Sequence, residues 1–205
     1  MMLKNLIDVR ASYSIAHIVK VLFLLSENPM GRNQLIKEIG LGEATIKTLI
    51  KRLKKNDLVK KTTKGSILTK KGTLLVGKIL KNISRPVEIG ILTKEYTVGK
   101  YNFALLIKNA SNKIKSGIEQ RDEAIKIGAD GATTLVCKND KLVFPGCNKK
   151  IVVLERVLRK IFKIENEDVI IIGSDSTKKK AEEASLVAAL SLWQKKAINK
   201  EYQTD

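Results

Sequence analysis

Between Ile15 and Glu27 the apolar residues Ile15, Ile18, Val19, Leu22, Phe23 and Leu25 recur at the three-to-four spacing of an amphipathic helix, with Ser14 in the capping position. Asn28-Pro29 ends the pattern, because proline cannot continue a hydrogen-bonded turn. A shorter helix is predicted over Asn33 to Ile39, with Leu35, Ile36 and Ile39 inward and Gly40 as its left-handed stop. A third runs from Gly42 or Glu43 to Asn56, burying Ile46, Leu49, Ile50 and Leu53. Its opposite side presents Ala44, Thr48, Lys51 and Lys55, flanked by Thr45, Lys47 and Arg52. The period then changes. Leu58–Lys61 and Ile67–Thr69 predict two strands joined by a turn over Thr62–Ser66, and a fourth helix follows from Thr73 to Ile83.

Ser84-Arg85-Pro86 reads as a junction, which divides the chain into domains at 1–86 and 87–205. Beyond it the pattern is mixed. Val87–Leu92 and Tyr101–Lys108 predict strands, and Ile118–Ile127 predicts a helix ended by Gly128. Thr133–Cys137 and Leu142–Phe144 predict a hairpin across Lys138-Asn139-Asp140-Lys141. A helix over Ile151–Phe162, a buried strand over Val169–Ile172 and a long helix from Thr177 to Ile198 complete the chain. Strands and helices without strict alternation favour a small α+β domain over a doubly wound sheet. The last helix carries Ala181, Ala184, Ser185, Ala188 and Ala189, small residues that permit close packing onto its own sheet or onto a second subunit.

Charge sharpens this division. The 205 residues carry a net charge of +18. Residues 1–86 hold 18 Lys and Arg against 5 Asp and Glu, whereas residues 87–205 hold 21 against 16. A first domain this basic calls for a polyanionic partner. No apolar run approaches the ~20 residues that span a bilayer, and Met1–Arg10 has no secretory h-region, so no membrane partner is expected. Cys137 and Cys147 belong to no CxxC unit, and the single His17 has no ligand-like neighbour. No metal or cofactor is therefore expected, and a reducing cytoplasm is the expected location. P-loop, GxSxG and GxGxxG signatures are absent, and with one histidine the second domain has no Ser-His or Cys-His pair, so an enzyme is not expected.

The third helix offers small and hydroxyl side chains near its start, suited to base edges and thymine methyls. Basic residues further along suit phosphates or guanine, so Thr45, Lys47, Thr48, Lys51, Arg52 and Lys55 are the candidate contacts of a helix in a major groove. The basic hairpin directly after it has the character of a wing, with Lys60, Lys61 and Lys64 near the nucleic-acid backbone. The stretch Leu53-Lys54-Lys55-Asn56-Asp57-Leu58-Val59, the hairpin and Leu68-Thr69-Lys70-Lys71-Gly72 together resemble the winged helix-turn-helix transcription regulators over residues 12–83. That resemblance implies duplex DNA as partner and a role in transcription. RNA is disfavoured because the A-form major groove excludes a helix and the segment lacks aromatics for stacking on single strands. The run from Gly117-Ile118-Glu119-Gln120-Arg121 through Gly128-Ala129-Asp130-Gly131 to Leu135 is similar to an archaeal group that joins a winged helix to a C-terminal domain of unknown function. No ligand comes with that similarity.

Two places in the second domain are candidate ligand sites. At Gly173-Ser174-Asp175-Ser176-Thr177, backbone N–H groups and hydroxyls of Ser174, Ser176 and Thr177 are placed to hold an anion; the alternative is capping of the last helix by Asp175 or Ser176. Lys178, Lys179 and Lys180 sit where positive charge opposes the helix dipole. At the second place, Arg121 and Asp130 flank a turn of small residues; the alternative is a helix end leading into a strand, with Arg121 paired on the surface. The expectation overall is a sequence-specific regulator that binds duplex DNA as a homodimer, the second domain sensing a small-molecule effector or dimerising. The competing readings are an enzyme with a fused autoregulatory winged helix and an architectural protein that binds nucleic acid without sequence preference.

Overall fold

In the computed structural model, which describes residues 6–7, 11–90, 95–147 and 151–201, the first helix α1 (Ile15–Glu27) has the bounds its apolar spacing predicts. The lone histidine braces its start: His17 Nδ1 accepts from the Ser14 backbone N–H at 3.0 Å. Helix α2 (Arg32–Ile39) ends on Gly40, which takes the left-handed conformation at φ 83°. Helix α3 (Glu43–Lys55) buries Ile46, Leu49 and Leu53, while Ile50, expected inside, is only half-buried. Asp57 then turns left-handed, and Leu58 N–H donates to Leu53 O at 3.0 Å, aiming the chain into the hairpin.

That hairpin pairs β1 (Val59–Thr62) with β2 (Gly65–Leu68), Val59 opposite Leu68, so its turn is confined to Thr63 and Lys64. Ser66 and Met30 exchange both backbone hydrogen bonds, at 3.1 and 2.8 Å, which ties the hairpin to the residues before α2. Helix α4 (Lys70–Leu80) starts three positions before the predicted Thr73, because Thr69 serves as its cap. Thr69 Oγ1 accepts from Gly72 N–H at 3.1 Å and donates to Asp57 O at 2.6 Å. A Cβ at Gly72 would lie 2.1 Å from Leu58 O. The leucine-threonine-x-x-glycine step therefore works by contact: threonine pins the end of the hairpin, and glycine lets α4 lie directly on the backbone before β1.

The chain divides into the compact units Met1–Leu80 and Lys81–Asp205. The second contains β3 (Val87–Glu88), β4 (Tyr101–Ile107), α5 (Ile118–Lys126), β5 (Gly131–Lys138), β6 (Lys141–Val143), α6 (Val152–Ile161), β7 (Val169–Asp175) and α7 (Lys178–Glu201). Its start lies ahead of the predicted junction at 86/87. The polar run that reads as a linker is sheet edge: Ser84 N–H donates to Leu106 O and Lys108 N–H to Asn82 O, each at 2.8 Å. Of the strand predicted over Val87–Leu92, two residues form β3, and Ile91 and Leu92 lie outside the described residues.

The sheet order is β3-β4-β7-β5-β6, antiparallel throughout. Asn139 and Asp140, both at positive φ, make a two-residue turn between β5 and β6, so these strands run closer to the turn than predicted. Alternation along the strands separates two faces. Ala104, Leu106, Leu135, Cys137, Ile170 and Ile172 pack with Leu154 and Leu158 of α6. The opposite face receives α7. There Gly173 has no room for a side chain, since a Cβ would meet Ser185 N at 2.2 Å and Ala181 O at 2.4 Å. Ala181, Ala184, Ser185, Ala188 and Ala189 are all fully buried, so the small residues of α7 serve its own sheet. Helix α5 packs beside α7.

Candidate nucleic-acid interface

Three pieces of the first unit enclose a cleft of about 560 Å³: the start of α2, the exposed side of α3 and the hairpin. Lys47, Lys51 and Lys54 reach it from α3 at i, i+4 and i+7, and Arg32 and Lys61 reach it from the other two walls. Apolar floor comes from Leu35, Ile46 and Ile50, and that use explains why Ile50 is only half-buried. Backbone anchoring sets the geometry. The Met30–Ser66 exchange holds the hairpin beside α2, and Lys71 Nζ donates to Asn56 O at 2.9 Å, adding positive charge at the C-terminal end of α3. Arg32 Nη1 meets Glu43 Oε1 at 2.6 Å, linking α2 to the first turn of α3.

Of the nine residues predicted to face a duplex, Lys47, Lys51 and Lys61 line the cleft. Lys55 and Thr48 lie on the same exposed side of α3. The Thr48 hydroxyl donates to Ala44 O at 2.9 Å, so its methyl and an acceptor lone pair are what it presents outward. Thr45 and Arg52 sit on the far flank and are half-buried. Lys60 is exposed next to Lys61, but alternation turns it to the other face of the hairpin; Lys64 is at the tip. Arg32 and Lys54 were missed. Lys54 had a signal, its i+7 spacing from Lys47, whereas Arg32 is brought in by a fold-back across the Met30–Ser66 bridge that no local pattern announces.

Among the described residues, Lys47, Lys51, Lys54, Lys55, Lys60, Lys61 and Lys64 meet no acidic side chain. Seven cations without local counter-charge, six of them on one helix and its neighbouring strand, set up a positive field over one side of the unit. Both aromatics of this unit, Tyr13 and Phe23, are buried at 6% and 4% exposure, so no aromatic platform is offered to a flipped-out base.

The second unit treats its predicted ligand residues differently. Gly173, Ser174 and Asp175 belong to strand β7, not to a turn. Ser174 Oγ donates to Asn102 Oδ1 at 2.7 Å in the interior. Asp175 Oδ1 accepts from Thr177 N–H at 2.8 Å and stands 2.9 Å from Thr177 Oγ1, and Ser176 Oγ lies 3.4 Å away. Thr177 Oγ1 in turn accepts from Lys180 N–H at 3.4 Å. The cap is thus Thr177, steadied by Asp175, and a carboxylate already stands where the anion was expected. Two of the three lysines also find structural uses. Lys178 Nζ donates to Glu88 at 2.9 Å and lies 5.5 Å from the Tyr101 ring centre. Lys180 Nζ donates to Ile127 O at 3.0 Å, capping the C-terminal end of α5, and to Glu183 at 2.9 Å. Arg121 pairs with its neighbour Asp122 at 3.2 Å on the surface, and Asp130 is exposed; the two do not converge on a cavity.

A winged helix with a basic cleft, followed by an α+β domain built on a five-stranded antiparallel sheet, is the class of protein that these features define. Residues 14–74 match the PH0730-like N-terminal domain, and residues 98–192 match a domain of unknown function, DUF4443. The structure of a hypothetical protein, PH0730 from Pyrococcus horikoshii OT3, is similar with a TM-score of 0.75 and 32% identity, covering 90% of this chain and 95% of that one. The chain belongs to this PH0730-like family, which joins a winged helix to a domain of unknown function. No curated protein matches it. Among the described residues no helix is long and apolar enough to cross a membrane.

Proposed function

We propose that the protein is a transcription regulator that binds duplex DNA at preferred sequences, with α3 in the major groove and the β1–β2 hairpin against the adjacent backbone. The observation that carries this reading is the set of lysines without acidic partners along α3 and the hairpin, around one cleft. A helix with its side chains is about 10–12 Å across, matching a B-form major groove about 12 Å wide. Lys47, Lys51, Lys54, Lys61 and Arg32 bind phosphates and set register, while Ala44 and Thr48, lacking long charged tips, approach base edges. The buried aromatics favour duplex over single strands. The second unit acts as the partner of this DNA reader and not as an enzyme. A small-molecule effector has less support than pairing of two chains, because the Ser174–Thr177 turn is filled by its own carboxylate.

The test is selection of preferred sequences from a random duplex pool, followed by fluorescence anisotropy of selected and random duplexes across a salt series. Selected DNA should bind at least about a thousandfold more tightly at matched salt, and log K should fall with log salt by about 0.9 per phosphate contact. Equal binding to both pools would leave an architectural role. Absence of salt-dependent binding to either would end the nucleic-acid reading.

A further inference from the structure

One carboxylate stands at the head of the lysine stripe of α3. Glu43 is the single acid of α3 and the hairpin, and it occupies the first position of the helix. At 100° per residue it falls on the line of Lys47 and Lys54, within about 40° of each and one turn ahead of Lys47. Its side chain is 64% exposed, and its partner is Arg32, whose Nη1 donates to Oε1 at 2.6 Å. The second oxygen, Oε2, makes no hydrogen bond among the described residues.

Stability gives this pair little reason to exist. An exposed ion pair contributes at most about 1 kcal/mol, an acid in a first helical turn adds a similar amount against the helix dipole, and α2 packs on α3 without either. On a surface that meets phosphates, a carboxylate in line with the lysines repels the polyanion. Against base edges it has a use. In the major groove guanine presents only acceptors, thymine an acceptor, and adenine an acceptor beside its amine. Cytosine alone presents a donor, its N4 amine, with no acceptor of its own. A carboxylate carries acceptors only, so it attracts cytosine and is repelled by the lone pairs of the other three. The N-terminal end of such a helix is also the end that contacts bases in helix-turn-helix docking.

We infer that Glu43 reads one cytosine through its N4 amine, with Arg32 as the residue that positions the carboxylate and offsets its charge. Arg32 occupies Oε1 and leaves Oε2 for the amine. Its guanidinium has five N–H donors, so the pair also leaves it donors for a phosphate. The inference rests on the proposed DNA binding and adds to it a named base at a named residue.

Selection from a random duplex pool with the full-length chain tests the inference, comparing the wild type with Glu43→Gln and Arg32→Gln. The wild type should select a cytosine at one position of the consensus, and thymine in its place should weaken binding by roughly five- to 150-fold, the range for a specific base contact. Glu43→Gln keeps the length of the side chain and adds a donor. Preference at that position should pass from cytosine to adenine, which meets an amide through N6 and N7. Preferences elsewhere should stay, and random-duplex affinity should rise severalfold as the repulsion disappears. Arg32→Gln leaves the carboxylate in place, so cytosine should remain preferred while all duplexes bind more weakly. Both positions are more than half exposed at the side chain, and circular dichroism should be unchanged in both variants. A wild-type consensus without such a cytosine, or a Glu43→Gln protein that keeps it, would overturn the base assignment while the DNA reading stands. Preferences lost at every position in Glu43→Gln would overturn it equally, because the pair would then only set the angle of α3. A wild type with no preferred sequence would end the sequence-specific reading, and this inference with it.

Discussion

Lys108 in the second unit reaches Asp168 at 2.9 Å and Glu165 at 3.1 Å, and Arg159 reaches Glu155 and Asp140 at 2.9 and 3.1 Å. Lys47, Lys51, Lys54 and Lys61 in the first unit reach no acid among the described residues. The contrast is not one of burial alone. Asp168 is 1% exposed at its side chain, and its carboxylate also accepts from the N–H groups of Asn109 and Glu165, at 3.0 and 2.9 Å. Such a buried charge requires partners, because desolvation without them is costly. Burial works against the Lys108 charge, but hydrogen bonds to Asp168 and Glu165 outweigh it and hold the ammonium above the usual lysine range. The second unit thus uses charge to fix its own loops, whereas the cleft lysines of the first unit leave their charge outward, where an external anion can neutralise it. Similar lysine-rich segments therefore carry different meanings: Lys178 and Lys180 are read against Glu88, Glu183 and the end of α5, while Lys47 to Lys54 have only solvent before them.

The largest effect should come from removing the cleft charges together. The variant Lys47→Gln/Lys51→Gln/Lys54→Gln/Lys61→Gln should lose roughly a thousandfold in random-duplex affinity near physiological salt, and its log–log salt slope should fall by about 3 to 4. Replacing Lys108, Lys178, Lys180 and Lys163, which reaches Glu165 at 3.3 Å, by Gln removes the same charge from the second unit and should leave both quantities nearly unchanged. Equal losses in the two sets, measured by anisotropy, would dissolve the distinction between outward and inward charge.

Packing supplies the next test. Gly72→Ala drives a methyl into Leu58 O and should destabilise the first unit by about 3 kcal/mol, in the range of overpacked cores. Hydrogen exchange should show the loss across β1, β2 and α4, with protection in β4, β5 and β7 retained. An unchanged exchange pattern would mean that the hairpin is not seated on that glycine. A smaller and more selective effect belongs to Thr48→Ala, which should narrow the gap between selected and random duplex by about 1 kcal/mol, the lower end for a direct base contact. Lys64→Ala should instead weaken all duplexes alike. Identical responses to both would remove α3 from the role of reader.

How far the sequence carries differs between the units for physical reasons. Local period and punctuation suffice in the first: Pro29, Gly40 and the change of period after Asn56 delimit α1, α2, α3 and the hairpin to within a few residues. The exposed side of α3 was also accessible, since Lys47, Thr48, Lys51 and Lys55 follow from helix angles alone. Position relative to other elements was not. Arg32 enters the cleft through the Met30–Ser66 exchange, and Lys60 leaves it because a strand alternates its sides. In the second unit the misplacements are all non-local. Ser84 reads as linker because its hydrogen bonds go to Leu106, and β7 extends through Asp175 because Tyr101 and Asn102 lie opposite Asp175 and Ser174. Glycine and serine in that stretch suggest a turn, yet Gly173 is needed for the approach of α7 and Ser174 for a bond to Asn102.

The smallest expected effect addresses that same stretch. Thr177→Ala removes the oxygen that accepts from Lys180 N–H and should cost about 1 kcal/mol, the usual value for a lost helix cap. Millimolar inorganic phosphate should leave the thermal unfolding of the wild type where it is, because the Asp175 carboxylate already occupies the Thr177 N–H and repels a second anion. Asp175→Asn keeps an oxygen acceptor there and removes the repulsion, so it is the variant in which phosphate has its best opportunity to stabilise. Stabilisation of the wild type by phosphate would show that the helix start accepts an external anion despite its own carboxylate. The lysines of its first turn would then be outward charges like those of α3, and the contrast between the two units would narrow to the cleft alone.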